Sequence, residues 1–119
     1  MTYKRHITGK EGEDIATEFL KQNGYQIIER NFQTRHGEID IIAKDKREYV
    51  FIEVKTRKNN KYGQPIDAID ERKIKHLKMS IHYYLYIHHI ENNYIRIDVI
   101  EVKYEGSKIK VHHIKQAIT

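Results

Sequence analysis

Four ionisable side chains sit in two runs that otherwise read as buried β-strands. Gly37-Glu38-Ile39-Asp40-Ile41-Ile42 carries two carboxylates, and Val50-Phe51-Ile52-Glu53-Val54-Lys55 carries a third with a lysine two residues on. An ionised carboxylate in an apolar strand is costly unless a cation or a metal partners it. Side chains at i and i+2 of a strand share a face, so Glu38 projects with Asp40 and Glu53 with Lys55. A hairpin between the two runs would set these pairs side by side. Asp40 and Glu53 would then offer oxygen ligands to a hard cation, Mg²⁺ or Mn²⁺. Such an ion activates a retained water and polarises a scissile phosphate. Lys55 could orient or deprotonate that water, or neutralise charge building on the phosphate. The expected chemistry is phosphodiester hydrolysis. A plainer reading stands beside it, with Glu53 and Lys55 as an ion pair at an exposed strand end and Asp40 as a surface charge near a turn. Glu-x-Lys alone does not choose between the two. Joined to Glu-x-Asp on the preceding strand, it shifts the balance towards a site.

The elements that would carry these residues follow from the hydrophobic pattern. From Gly9 to Asn23, Ile15, Ala16, Phe19 and Leu20 fall at helical spacing, and Gly24 suits the left-handed position that ends a helix. Tyr25–Phe32, Glu38–Ala43 and Tyr49–Thr56 read as three strands, the last a β-branched and aromatic run suited to the middle of a covered sheet. Asp45-Lys46-Arg47-Glu48 forms the turn between the second and third. A polar stretch from Arg57 to Pro65 leads into a long helix from Asp67 to about His89, with an apolar stripe of Ile74, Leu77, Ile81, Tyr84, Leu85 and His88. Tyr94–Val102 is a fourth strand, and Glu105-Gly106-Ser107 turns into a last one, Lys108–His112. The order α-β-β-β-α-β-β predicts an α/β fold, a mixed central sheet flanked by helices, in a single domain spanning residues 1–119.

Composition narrows the partners. The chain has 119 residues and a formal net charge of +5, a basic excess that favours polyanions such as nucleic acid. With no cysteine, disulfide frameworks, thiolate metal sites and cysteine nucleophiles are excluded. The polar start Met1-Thr2-Tyr3-Lys4-Arg5-His6 is unlike a secretion signal, and no run approaches the ~18 apolar residues of a membrane span. A cytoplasmic protein is expected. Zinc is not: His88-His89 and His112-His113 are adjacent pairs whose members point apart, and no His-Glu-x-x-His occurs.

An acidic residue in one strand followed by Glu-x-Lys in the next resembles the PD-(D/E)xK nuclease superfamily, with Asp40, Glu53 and Lys55 as the signature. A closer resemblance covers nearly the whole chain. Gly12-Glu13, Gly24-Tyr25, Glu29-Arg30-Asn31-Phe32, Gly37-Glu38-Ile39-Asp40, Val50 to Arg57, Tyr62-Gly63, Asp70 to Lys73 and Arg96-Ile97-Asp98-Val99 are similar to the landmarks of the YraN-like family of small bacterial proteins. That resemblance implies a restriction-endonuclease-like fold and a metal-dependent endonuclease site of the Holliday-junction-resolvase type. It also implies that Glu13 completes the acidic cluster with Asp40 and Glu53. Read from its own position, Glu13 is an acidic residue in a first helical turn, favourable to the helix dipole without any catalysis. Two departures are visible: Ile39 stands where the superfamily signature has proline, and Gln33 where arginine is usual after Asn-Phe.

Around this core lie weaker signals. Arg57, Lys58 and Lys61 make a candidate phosphate-contacting loop beyond Lys55, joined by Lys73 on the second helix; such contacts position nucleic acid without reading sequence. Gln64 lies where superfamily members place a water-binding glutamine. The segment Ile81 to Ile90 is apolar nearly all round, which suits burial or homodimerisation. The leading expectation is a DNA-processing nuclease, and its alternative is a non-catalytic nucleic-acid-binding protein that keeps the nuclease fold.

Overall fold

Helix α1 (Gly9–Gln22) begins where the Thr8 side chain accepts the backbone N–H of Glu11, and ends at Asn23. Gly24, at φ +85°, takes the left-handed position beyond the cap. The Tyr25 N–H then reaches back to the Leu20 carbonyl at 2.9 Å and the Gly24 N–H to that of Lys21, a Schellman closure. These features belong to a computed structural model that describes residues 8–58 and 69–119.

The element order is α1, β1 (Gln26–Thr34), β2 (Gly37–Asp45), β3 (Glu48–Arg57), α2 (Glu71–Ile87), β4 (Ile95–Glu105) and β5 (Lys108–Ile118). The strands form one sheet in chain order. β1–β2, β2–β3 and β4–β5 pair antiparallel, while β3–β4 pair parallel and are bridged by α2, as a parallel crossover requires. The expected α/β class, mixed sheet and element order are those observed.

Alternation along β3 divides the core. Phe51 packs with Leu77, Ile81 and Tyr84 of α2, whereas Val50 and Ile52 pack with Ala16 and Leu20 of α1. Helices thus cover both faces, which explains the continuous apolar run of β3. Several boundaries differ from expectation. α2 begins at Glu71, where the Asp70 side chain caps it by accepting the Lys73 N–H, rather than from Asp67, and β4 runs on past Val102 to Glu105. α2 closes at His88 because His89 turns left-handed (φ +54°) and the Ile90 N–H bonds the Leu85 carbonyl. This is the same closure as in α1, without the glycine that would announce it. His88 is therefore an exposed cap residue rather than part of the buried stripe. β5 runs on to Ile118 through a register shift opposite Ile97–Val99, with Gln116 at φ +51°. The outer face of α2 is open in the single chain, with Tyr83 49% and Tyr86 79% exposed.

Candidate metal centre

β2 and β3 part company at the site. Their backbone pairing runs from Asp45–Glu48 to Ile41–Ile52 and stops there. Beyond that point the Val54 N–H is taken by the side chain of Asp40, at 2.8 Å to Oδ2. The carboxylate replaces a strand carbonyl, and the gap it bridges opens a cleft of about 580 Å³ at the end of the sheet. Glu13, Glu38, Asp40, Glu53, Lys55 and Lys73 all line it.

Helix α1 brings Glu13 to this gap through unusually close packing. A Cβ on Gly12 would lie 2.0 Å from Thr56 Oγ1, so only glycine lets the first turns of α1 rest on β3. One ligand oxygen each from Glu13, Glu38 and Asp40 then lie within 4.8 Å of one another. Asn31 holds two of the three. It sits in β1 at φ +54°, and with its amide nitrogen facing the carboxylates it donates to Glu13 Oε1 at 2.8 Å and Glu38 Oε1 at 2.5 Å. Gln33 donates to the other oxygen of Glu38 at 3.1 Å.

Glu53 stands outside that cluster but acts on it. Its side chain is 3% exposed; Oε1 lies 3.3 Å from Lys73 Nζ and 3.7 Å from Lys55 Nζ, and Oε2 is buried with no hydrogen-bond partner among the described residues. Burial, with the neighbouring Glu53 charge, pushes the Asp40 carboxyl up to about 7 against the pull of the Val54 N–H. Glu13 is also raised, first by desolvation and then by Glu38, with Arg30 opposing. Carboxylates this crowded, one with an orphaned buried oxygen, fit a divalent cation: hard oxygen donors, excess negative charge and no thiolate or imidazole.

The expected residues are thus placed as follows. Asp40, Glu53, Lys55, Glu13 and Glu38 share one cleft, with Glu38 rather than Glu53 completing the oxygen triad. Lys73 joins them as the counter-ion of Glu53. Lys58 is exposed. Arg57, expected to contact phosphate, is turned into the sheet instead: its Nε bonds Glu101 Oε2 at 2.6 Å and its side chain is 9% exposed. Lys61 and Gln64 lie outside the described residues. Asn31 was missed as a site member. Its signal was a polar residue near the end of a strand, but only its left-handed backbone shows where the amide goes.

A second polar cluster lies away from the cleft. Asp98, fully buried, accepts Arg96 Nε at 2.9 Å and the Gln116 N–H at 2.9 Å, and shares a 2.7 Å bond with His113 Nε2. Arg96 continues to the Tyr25 hydroxyl at 2.6 Å and to Asp45 at 3.2 Å. Every group is partnered, so the network ties β4 and β5 to the end of α1 and the β2–β3 turn.

Among the described residues no helix is long and apolar enough to cross a membrane. A family model described as "Uncharacterised protein family UPF0102" matches residues 12–102. A UPF0102 protein of Persephonella marina is 40% identical over 111 residues, covering 93% of this chain and 92% of the relative. One of Caldicellulosiruptor bescii is 41% identical over 112 residues, covering 92% and 94%. A solved structure described as "Crystal structure of SSO0001" aligns with 93% of this chain and 51% of its own, at 18% identity and a TM-score of 0.37. That likeness says nothing of function.

Proposed function

The chain belongs to the uncharacterised protein family UPF0102, and from its acidic cleft we propose a metal-dependent nuclease-like protein that hydrolyses phosphodiester bonds in DNA. One observation carries the reading: Glu13, Glu38 and Asp40 converge within 4.8 Å beside a buried Glu53, with Lys55 on the same wall. Glu13, Glu38 and Asp40 would hold Mg²⁺ or Mn²⁺, and Glu53 would add its buried negative charge. A cation bound there supplies Lewis-acid polarisation of a phosphate and a water of lowered pKa.

The chain's own residues do the rest. The Val54 N–H fixes the Asp40 carboxylate, and Asn31 fixes those of Glu13 and Glu38, so the ligand set is preorganised by main chain and amide. Lys55 is anchored to Glu53 yet 28% exposed, which suits it to meet charge developing on a phosphate. The PD-(D/E)xK signature would make Asp40 and Glu53 the ligands and Lys55 the catalytic cation; here Glu38 stands with Asp40 and Glu13 in place of Glu53, and placement in that superfamily is part of the proposal.

The Lys73–Glu53 pair favours a second reading. Here the chain's own cations neutralise Glu53, as a non-catalytic nucleic-acid-binding protein on this fold would need. Cleavage assays on branched, flapped and linear DNA with Mn²⁺ or Mg²⁺ separate the two, using wild type, Asp40→Ala and Lys55→Ala. The nuclease reading expects cleavage by wild type alone. Cleavage that survives both substitutions would exclude this cleft as its source. Salt-sensitive binding without cleavage would leave the second reading standing.

A further inference from the structure

The acidic cleft does not end at its carboxylates. Glu38 and Lys73 also line a smaller hollow of about 210 Å³ between α2 and the β1–β2 hairpin, and His36 of that hollow lines a third cavity of about 550 Å³. The shared walls make one track, stiffened where Thr34 Oγ1 meets Ser80 Oγ at 2.8 Å and ties the hairpin to α2. Its character changes along its length. At the near end stand the carboxylates and Lys73; at the far end stand Arg35, exposed, and Tyr83, 49% exposed. The Tyr83 ring is backed on one side by Phe32, with centroids 6.2 Å apart and planes 29° from parallel.

An exposed aromatic ring with one cation, Arg35, beside it and a second, Lys73, further along the wall is what a base and its phosphates need when the base is unpaired. Every base has a π-face to stack, and a cationic wall follows the backbone without reading sequence. Intact duplex keeps its base faces stacked and offers the ring nothing. We propose that this track binds an unpaired DNA segment, one base stacked on Tyr83 and the phosphates led past Arg35 and Lys73 towards the acidic cleft. The proposal rests on the nuclease reading for what lies at the near end, and it names that site's substrate as DNA with a single-stranded portion.

The test is fluorescence anisotropy of labelled oligo-dT, beside a labelled duplex, in EDTA so that neither metal nor cleavage enters. Wild type, Tyr83→Ala, Tyr83→Phe and Arg35→Glu are compared. Tyr83→Ala should weaken oligo-dT binding about tenfold or more, as loss of a stacking partner does, and leave duplex binding nearly unchanged. Tyr83→Phe should keep the affinity, because it keeps the ring. Arg35→Glu should weaken oligo-dT binding and flatten its salt dependence. No oligo-dT binding by wild type, or equal responses of oligo-dT and duplex to Tyr83→Ala, would overturn the track. Absent cleavage with Tyr83-dependent binding would remove the nuclease and keep the track; cleavage with Tyr83-independent binding would do the reverse.

Discussion

Lys73 Nζ, on α2, stands 3.3 Å from Oε1 of Glu53, on β3, so a cation from the helix neutralises the most buried carboxylate of the cleft. A divalent ion would compete with it for the same negative charge. Lys73→Ala should therefore increase the thermal stabilisation given by Mn²⁺, since a ligand bound only by the native state raises stability with the logarithm of its affinity. Without metal, the same variant should melt below wild type because Glu53 keeps only Lys55. A Mn²⁺ response in Lys73→Ala no larger than wild type's would show that the pair does not gate the site.

Asp40 gives the cleft a pH signature. Its carboxyl is raised to about 7 in the folded protein, first by burial and then by Glu53, from an ordinary value of 3.8. The folded state therefore holds a proton that the unfolded chain has already released, and stability falls as pH rises between those two values. Without divalent ions, Tm should drop by at least about 4 °C between pH 5 and pH 8. Asp40→Asn should flatten that slope. Mn²⁺ affinity should rise over the same interval, because the ligand must be deprotonated to bind.

Gly12 tests how tightly α1 must sit. With Thr56 Oγ1 2.0 Å from where a Cβ would stand, Gly12→Ala should destabilise by about 1–3 kcal/mol through overpacking. It should also weaken Mn²⁺ binding by displacing Glu13. Adding Thr56→Ala to Gly12→Ala should recover part of both losses. A double-mutant cycle on urea midpoints reads the coupling.

The Asp98 network is a test of stability, not chemistry. Burial alone would push this carboxyl up, but the bonds from His113, Arg96 and the Gln116 N–H outweigh it and hold it low. Its contribution is present above the ordinary carboxylate range and lost as pH falls through the depressed value. Asp98→Ala leaves half-buried Arg96 without its main partner, although Tyr25, Asp45 and Glu48 remain, and should cost about 1–3 kcal/mol in urea unfolding. Asp98→Asn should flatten the acid limb of the stability curve. Oligo-dT binding measured well below the melting temperature should be unaffected.

Much of the site is legible in the sequence. Strand periodicity paired Glu38 with Asp40 and Glu53 with Lys55, and Gly24 marked the end of α1, because those signals are local. What could not be read depends on distant partners. The triad of Glu13, Glu38 and Asp40 exists because β2–β3 pairing stops at Ile41–Ile52, a tertiary fact. Arg57 belongs to a basic run in the sequence, yet Glu101 across β3 and β4 claims it. The end of α2, expected at about His89, falls at the His88 cap, whereas its start was expected at Asp67, three residues before Asp70, whose side chain takes the Lys73 N–H and caps the helix. The second half of β5 was missed because half-buried His113 and the turned Gln116 break its alternation.

The left-handed backbone at Asn31 has a further effect. β1 is an outer strand of an open five-stranded sheet, and its free side could template a strand from another molecule. Ile28, left out of register, and Asn31, at φ +54°, interrupt it twice within four residues. The twist that turns an amide towards the carboxylates also spoils the straight row of donors and acceptors that aggregation needs. At Asn31, one backbone conformation both aims a side chain at the carboxylates and breaks the regularity of an exposed sheet edge.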